Sequence, residues 1–159
     1  MPNHTTNHLV VVGPAVEIKK FIDSVNGKDE EGEPNPFDLN KLIPQPEDVE
    51  DWYNWRVKNW GTKWNTYNHS SDEFDFFKVD IGMAEAHLFY HTAWAPPSNF
   101  LEKASRMFPD LVFVNRAADD GGGFLVVETF DGPNGEYTEE EFEWDSEEGE
   151  ELKEFLGLV

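Results

Sequence analysis

Apolar and polar positions divide this chain into recognisable pieces. NHLVVVG at 7–13 is a β-branched run closed by glycine and predicts a buried strand. Behind Pro14, the residues Ile18, Phe21, Ile22 and Val25 recur at i, i+3, i+4 and i+7, and Gly27 follows. That spacing predicts an amphipathic helix directly after the strand. KDEEGEPNP at 28–36 is charged and rich in turn residues and reads as an exposed loop. FDLNKLIPQP at 37–46 reads as an ordered but irregular segment pinned by Phe37, Leu39, Leu42 and Ile43. A helix is expected next, with Pro46, Glu47 and Asp48 at its start, Arg56 and Lys58 in its last turn and Gly61 beyond its end. Val49, Trp52, Tyr53, Arg56 and Trp60 share one face of that helix, with Trp55 beside it.

From Thr62 the period shortens to two. TKWNTYNHS at 62–70, FDFFKVDI at 74–81 and AHLFYHTAW at 86–94 are read as strands, the last two joined through a turn at Gly82. Pro96 and Pro97 stop the sheet, and Ser98 is placed as the cap of a helix through Phe100, Leu101, Ala104 and Met107 that Pro109 ends. LVFVNRA at 111–117 and FLVVETF at 124–130 are further strands linked by DDGGG, and DGPNG at 131–135 is a turn. EYTEEEFEW at 136–144 alternates as another strand, and a last helix from about Ser146 buries Leu152, Phe155 and Leu156. The order is that of an α+β fold, an antiparallel sheet with helices packed on one face, followed by an acidic strand and helix. We divide the chain into residues 1–135 and an extension, 136–159, packed on the same domain.

Composition changes this picture mainly through charge. The chain of 159 residues holds 33 acids against 12 Lys plus Arg, a formal net charge of −21. Residues 1–118 carry 18 of the acids and 11 of the bases, whereas residues 119–159 carry 15 acids and the single base Lys153. Such a field repels phosphate backbones and anionic membranes and attracts basic surfaces, so direct duplex binding is disfavoured. Solubility alone also accounts for acidity of this kind. The chain lacks cysteine, long apolar runs and a leader-like N-terminus, and it reads as a soluble cytoplasmic protein without disulfides or thiolate metal sites.

Several segments together carry a family resemblance: Pro2, Asn3, Asn7 and Gly13, then FDLNKLIPQP, WYNWRVKNWGTKW, TAWAPP and the helix ending at FPDL. They resemble the YubB-like proteins of phages and conjugative plasmids, over roughly residues 1–135. His4 departs from the family, which usually has tryptophan there, and the acidic segment after residue 136 finds no match. The resemblance implies a ferredoxin-like domain and a mobile-element accessory protein in a bacterial cytoplasm. It implies no catalytic set.

Residue chemistry points away from catalysis. There is no nucleophile elbow, no phosphate-cradling loop and no calcium loop. The histidines His4, His8, His69, His87 and His91 lack zinc spacing, and in a strand His87 and His91 stand about 13 Å apart, too far to chelate together. We therefore expect no metal, no cofactor and no catalytic residue, although so many carboxylates leave room for an acid–base site without a signature.

Two binding surfaces are candidates. The first is acidic: Asp119 and Asp120, with Glu139, Glu141 and Glu143 on one side of a strand, continued by Glu147, Glu148, Glu150 and Glu151. Alternate strand residues repeat about every 6.8 Å, close to the spacing of phosphates along a DNA strand. This face is expected to bind a basic, nucleic-acid-binding surface of a host protein, as a DNA mimic acting on CRISPR or restriction machinery. An ordinary solvated edge that resists aggregation has the same composition. The second candidate is WRVKNWGTKW, where Trp55, Arg56, Lys58, Trp60, Lys63 and Trp64 are read as a site for a nucleotide or single-stranded RNA. The same tryptophans also suit a core, and the same cations a helix end.

Overall fold

The computed structural model describes residues 3–158, so Pro2 of the amino-terminal motif lies outside the described residues. Strand β1 (His4–Pro14) runs into helix α1 (Ala15–Val25). A two-stranded ribbon, β2 (Gly27–Lys28) and β3 (Pro34–Asn35), and a single turn of helix, α2 (Leu39–Leu42), follow. Then come α3 (Trp52–Asn59), β4 (Asp75–Asp80), β5 (Met83–Ala93) and α4 (Ser98–Met107). The chain closes with β6 (Val112–Asp119), β7 (Leu125–Asp131), β8 (Glu136–Glu141) and α5 (Glu147–Phe155).

The large sheet has the order β4-β5-β1-β6-β7-β8, and every neighbouring pair is antiparallel. Its first four strands, with α1 and α4 as crossovers, form a split β-α-β arrangement, and β7 and β8 widen it by two hairpins. Register explains the core. Leu9 stands opposite Leu88, Val11 opposite both Ala86 and Phe113, and Phe113 opposite Phe130, so their side chains share one face. Ile18, Phe21 and Val25 of α1 and Phe100, Leu101 and Ala104 of α4 cover that face. Phe37, delivered by the segment before α2, makes edge contacts with Phe21, Tyr90 and Phe100. Burying a side chain of this size contributes about 1.5–3 kcal/mol.

The last helix takes the other face. Leu152 and Leu156 pack with Ala118 and Leu125, joined by Val127, Phe142 and Trp144. Ser146 caps α5 by accepting the Gly149 N–H. Residues 136–158 thus finish the sheet at its β8 edge and then fold over its second face.

Four local expectations are corrected. Residues 62–70 form no strand. Gly61 at φ 88° and Asn68 at φ 52° turn the chain, and only Tyr67 bridges to His91. Asn65 and Thr66 instead turn inward: Asn65 Oδ1 accepts the Leu39 N–H, and Thr66 Oγ1 donates to the Phe37 carbonyl. Helix α3 begins later than Pro46, because Asp51 caps it by accepting the Asn54 N–H. Residues 28–36 include all of the β2–β3 ribbon but Gly27, and its turn is closed by Asp29 accepting the N–H groups of Glu31 and Glu33. Ser98 makes no cap; its hydroxyl donates to Glu128, 2.9 Å away.

Candidate interaction surface

Strand β8 is the outer strand of the sheet, and all six of its residues are exposed. Its register with β7 separates the acidic residues. Glu139 faces Glu128 and Glu141 faces Val126, which puts both on the α4 side; Glu140 faces Val127, on the α5 side. Glu143 lies just past the strand, and Glu147, Glu148, Glu150 and Glu151 are exposed on α5. The acidic set therefore wraps around the β8 edge from one face to the other, where a single continuous face was expected.

Local bonding sorts its members further. Asp119 accepts the N–H groups of Gly121 and Gly123 and so holds the DDGGG turn, while Asp120 accepts a hydrogen bond from Thr6 Oγ1 at 2.7 Å. Both are committed to structure within the chain. The Tyr137 hydroxyl lies 2.6 Å from Glu139 Oε2 and 3.0 Å from Oε2 of buried Glu128, and its single proton is donated to one of the two at a time. Burial raises the Glu128 carboxyl above its ordinary pKa, against the hydrogen bonds from Ser98 and Tyr137. Lys153, the last cation of the chain, is 4% exposed. Its ammonium sits 4.8 Å over the Trp144 ring and donates to Glu150 at 2.7 Å. The outer side of β8 and α5 consequently presents carboxylates with no exposed cation of its own segment.

The tryptophan segment divides as well. Trp60 is buried, with its Nε1–H donating to the Ile43 carbonyl and its ring edge-on to half-buried Trp55. Arg56 lies 4.8 Å from the Trp52 ring and 5.3 Å from the Trp60 ring, and its Nε–H donates to Gln45. Lys58 is exposed at the helix end, and Lys63 stacks on Trp94 at 4.5 Å and Trp64 at 5.2 Å. Arg56, Trp60 and Trp64 line one open cleft of about 830 Å³; Trp55, Lys58 and Lys63 do not. Glu30, Glu31 and Glu47 stand at the same cleft. Among the described residues no carboxylate forms an ion pair with Arg56. Burial lowers the Arg56 pKa, with Glu30 acting against it.

A third feature was missed by the sequence reading. His4 and His8 on β1 and His87 and His91 on β5 all lie on the face that α5 partly covers. His87 and His91 are spaced along one strand, as expected, but each meets a histidine of the neighbouring strand. His8 Nε2 is 3.1 Å from His87 Nδ1, and His4 stacks on His91 with ring centroids 5.3 Å apart. His8 is buried, its Nδ1 has no partner, and its pKa falls to about 4 through burial first, then His87 and Arg116. Equal parity and i, i+4 spacing was the available signal, although the expected first strand, 7–13, held His8 and not His4; only the extension of β1 to His4 and its pairing with β5 turn it into a cluster. Among the described residues, no three His, Asp or Glu side chains converge as a metal site.

The fold and these surfaces define a ferredoxin-like sheet protein with a widened, acidic edge. A model of the ferredoxin-like domain in Api92-like proteins matches residues 59–157, and the chain belongs to this family. In fold it is similar to the crystal structure of a protein api92 from Yersinia pseudotuberculosis, with a TM-score of 0.63 and 9% sequence identity over 89% of this chain and 98% of that one. Likeness at that identity speaks for fold alone. No curated protein matches the chain.

Proposed function

We propose that this chain is a non-enzymatic interaction protein whose β8–α5 edge binds a basic surface of a host nucleic-acid-binding protein. One observation carries the reading: Lys153, the sole base after Arg116, is turned inward onto Trp144 and pairs with Glu150 alone, so the other glutamates of β8 and α5 face solvent with no cation of their own segment beside them. A solubilising surface has no need to bury its only cation. The resemblance to YubB-like proteins of phages and plasmids supports a mobile-element origin, with mimicry of a DNA backbone and inhibition of CRISPR or restriction machinery as the mode of action. A field of this sign speeds association with a positive groove and weakens with salt. The test is capture of host nucleic-acid-binding complexes by the full chain, followed by Glu139→Lys, Glu141→Lys and Glu143→Lys. Loss of capture is expected; capture that survives the triple reversal and high salt refutes the electrostatic account.

A second reading has one observation in its favour. The guanidinium of Arg56, stacked on two tryptophans, lines a cleft of about 830 Å³ that lies within the range of small-ligand sites. It is the part of the tryptophan segment suited to a nucleotide or a single-stranded RNA base, although Glu30, Glu31 and Glu47 oppose a phosphate there. Tryptophan fluorescence during nucleotide titration tests it, and an unchanged spectrum at millimolar ligand removes it.

A further inference from the structure

The half of the second sheet face left open by α5 is aromatic. Phe77 packs on His87 at 5.7 Å, His87 on His8 at 5.2 Å, and His8 on Phe89 at 4.6 Å and Phe155 at 4.9 Å. Phe77, Phe89 and Phe155 are exposed at 54%, 36% and 47%, a run of rings that water covers at a cost. Beside Phe89 and Phe155 the surface dips into a hollow of about 370 Å³ that reaches Thr6, Asn68 and His91. That volume is at the small end of ligand sites.

Charge around the rings is mostly negative. Asp75, whose register partner is His87, and Glu85, which lies 2.9 Å from His87 Nε2, flank the Phe77 end. Asp120 accepts a hydrogen bond from Thr6, which lines the hollow, and adds a third carboxylate near it. Of the described strands, only β6 turns a cation, Arg116, to this face, and its guanidinium already lies 5.2 Å over the Phe155 ring. His8 and His91 add no positive charge at neutral pH, since burial lowers both their pKa values.

We propose that this face is an arginine-docking surface, in which guanidinium groups of a partner protein stack on Phe77 and Phe89 within the field of Asp75, Glu85 and Asp120. The inference rests on the basic-partner reading and names how the partner is held. Guanidinium suits the site better than ammonium, because it is planar, weakly hydrated and stacks on ring faces as Arg116 does here. Single-stranded RNA would use the rings but not the carboxylates, which repel its phosphates. The arrangement therefore favours a cationic protein segment.

The experiment uses the full chain and three fluorescein-labelled probes, an arginine octapeptide, a lysine octapeptide and a uridine octanucleotide, read by fluorescence anisotropy. The arginine peptide is expected to bind at least about fivefold tighter than the lysine peptide, a difference of about 1 kcal/mol. Phe89→Leu and Phe77→Leu, which keep an apolar side chain without the ring, are expected to remove that preference, with circular dichroism confirming the fold. Equal binding of the two peptides, or a preference that survives both substitutions, overturns the proposal, as does binding of the oligonucleotide in preference to either peptide. Glu139→Lys with Glu141→Lys separates the two readings. If that pair weakens both peptides while the phenylalanine substitutions do nothing, the acidic edge stands and the arginine site falls. If the phenylalanines alone matter, the acidic edge falls.

Discussion

Lys153 and Trp144 form a stacked pair, ammonium over indole at 4.8 Å, beneath the acidic surface of α5. The contact takes the only base of residues 119–159 out of the solvent-facing field and makes it part of the helix's packing. Replacement by methionine retains the stem and its apolar contacts, so Lys153→Met is expected to cost no more than about 1 kcal/mol in urea unfolding. Lys153→Glu puts a buried carboxylate beside Glu150 and is expected to cost more than about 2 kcal/mol.

Trp60 and Trp52 provide a contrast at the two ends of α3. The first is enclosed by the core and hydrogen-bonded to Ile43, while the second is 40% exposed under Arg56. Trp60→Ala is expected to lose about 3–5 kcal/mol, and Trp52→Ala less than about 1 kcal/mol, by thermal or denaturant unfolding.

A buried polar chain crosses the central strands. The Tyr90 hydroxyl donates to Asn115 Oδ1 at 2.7 Å, Asn115 Nδ2 donates to Asn7 Oδ1, and Asn7 Nδ2 donates to Thr92 Oγ1. Asn115→Ala strands both Tyr90 and Asn7 in a dry interior, so a loss of about 2–4 kcal/mol is expected, against about 1 kcal/mol for Tyr90→Phe, which leaves the asparagines paired.

The sequence revealed the elements that alternate or repeat cleanly. NHLVVVG, the helix of Ile18, Phe21 and Val25, and strands β4 to β8 stand where their patterns put them. Residues 62–70 alternate as well as any strand, yet Asn65 and Thr66 spend their side chains on the backbone of Phe37 and Leu39, a competition that no local period reveals. The acidic residues were legible as a list, but their split across two faces depends on where α5 docks. Asn7 was legible as a motif residue, and its role in the Tyr90–Asn115 chain waits on a strand more than a hundred residues away. The histidine face was hidden for the same reason.

Acid should weaken the fold before it touches most carboxylates. His8 and His69 have pKa values of about 4 when folded, through burial first, against 6.5 as the ordinary value. Between those limits the unfolded chain binds more protons, so stability is full above about pH 6.5 and falls as pH drops toward 4. Each histidine contributes up to about 3 kcal/mol to that fall, and the raised pKa of Glu128 acts in the opposite sense. Urea midpoints taken across this range for His8→Gln with His69→Gln are expected to show a flatter profile than the parent chain.

Salt distinguishes an electrostatic binding edge at β8 and α5 from an ordinary solvated one. The affinity of the captured basic partner, measured between about 50 and 200 mM salt, is expected to fall steeply for the parent chain and to be both weak and nearly flat for Glu139→Lys with Glu141→Lys. A parent affinity indifferent to salt, or a reversed pair that binds as tightly as the parent, contradicts the account.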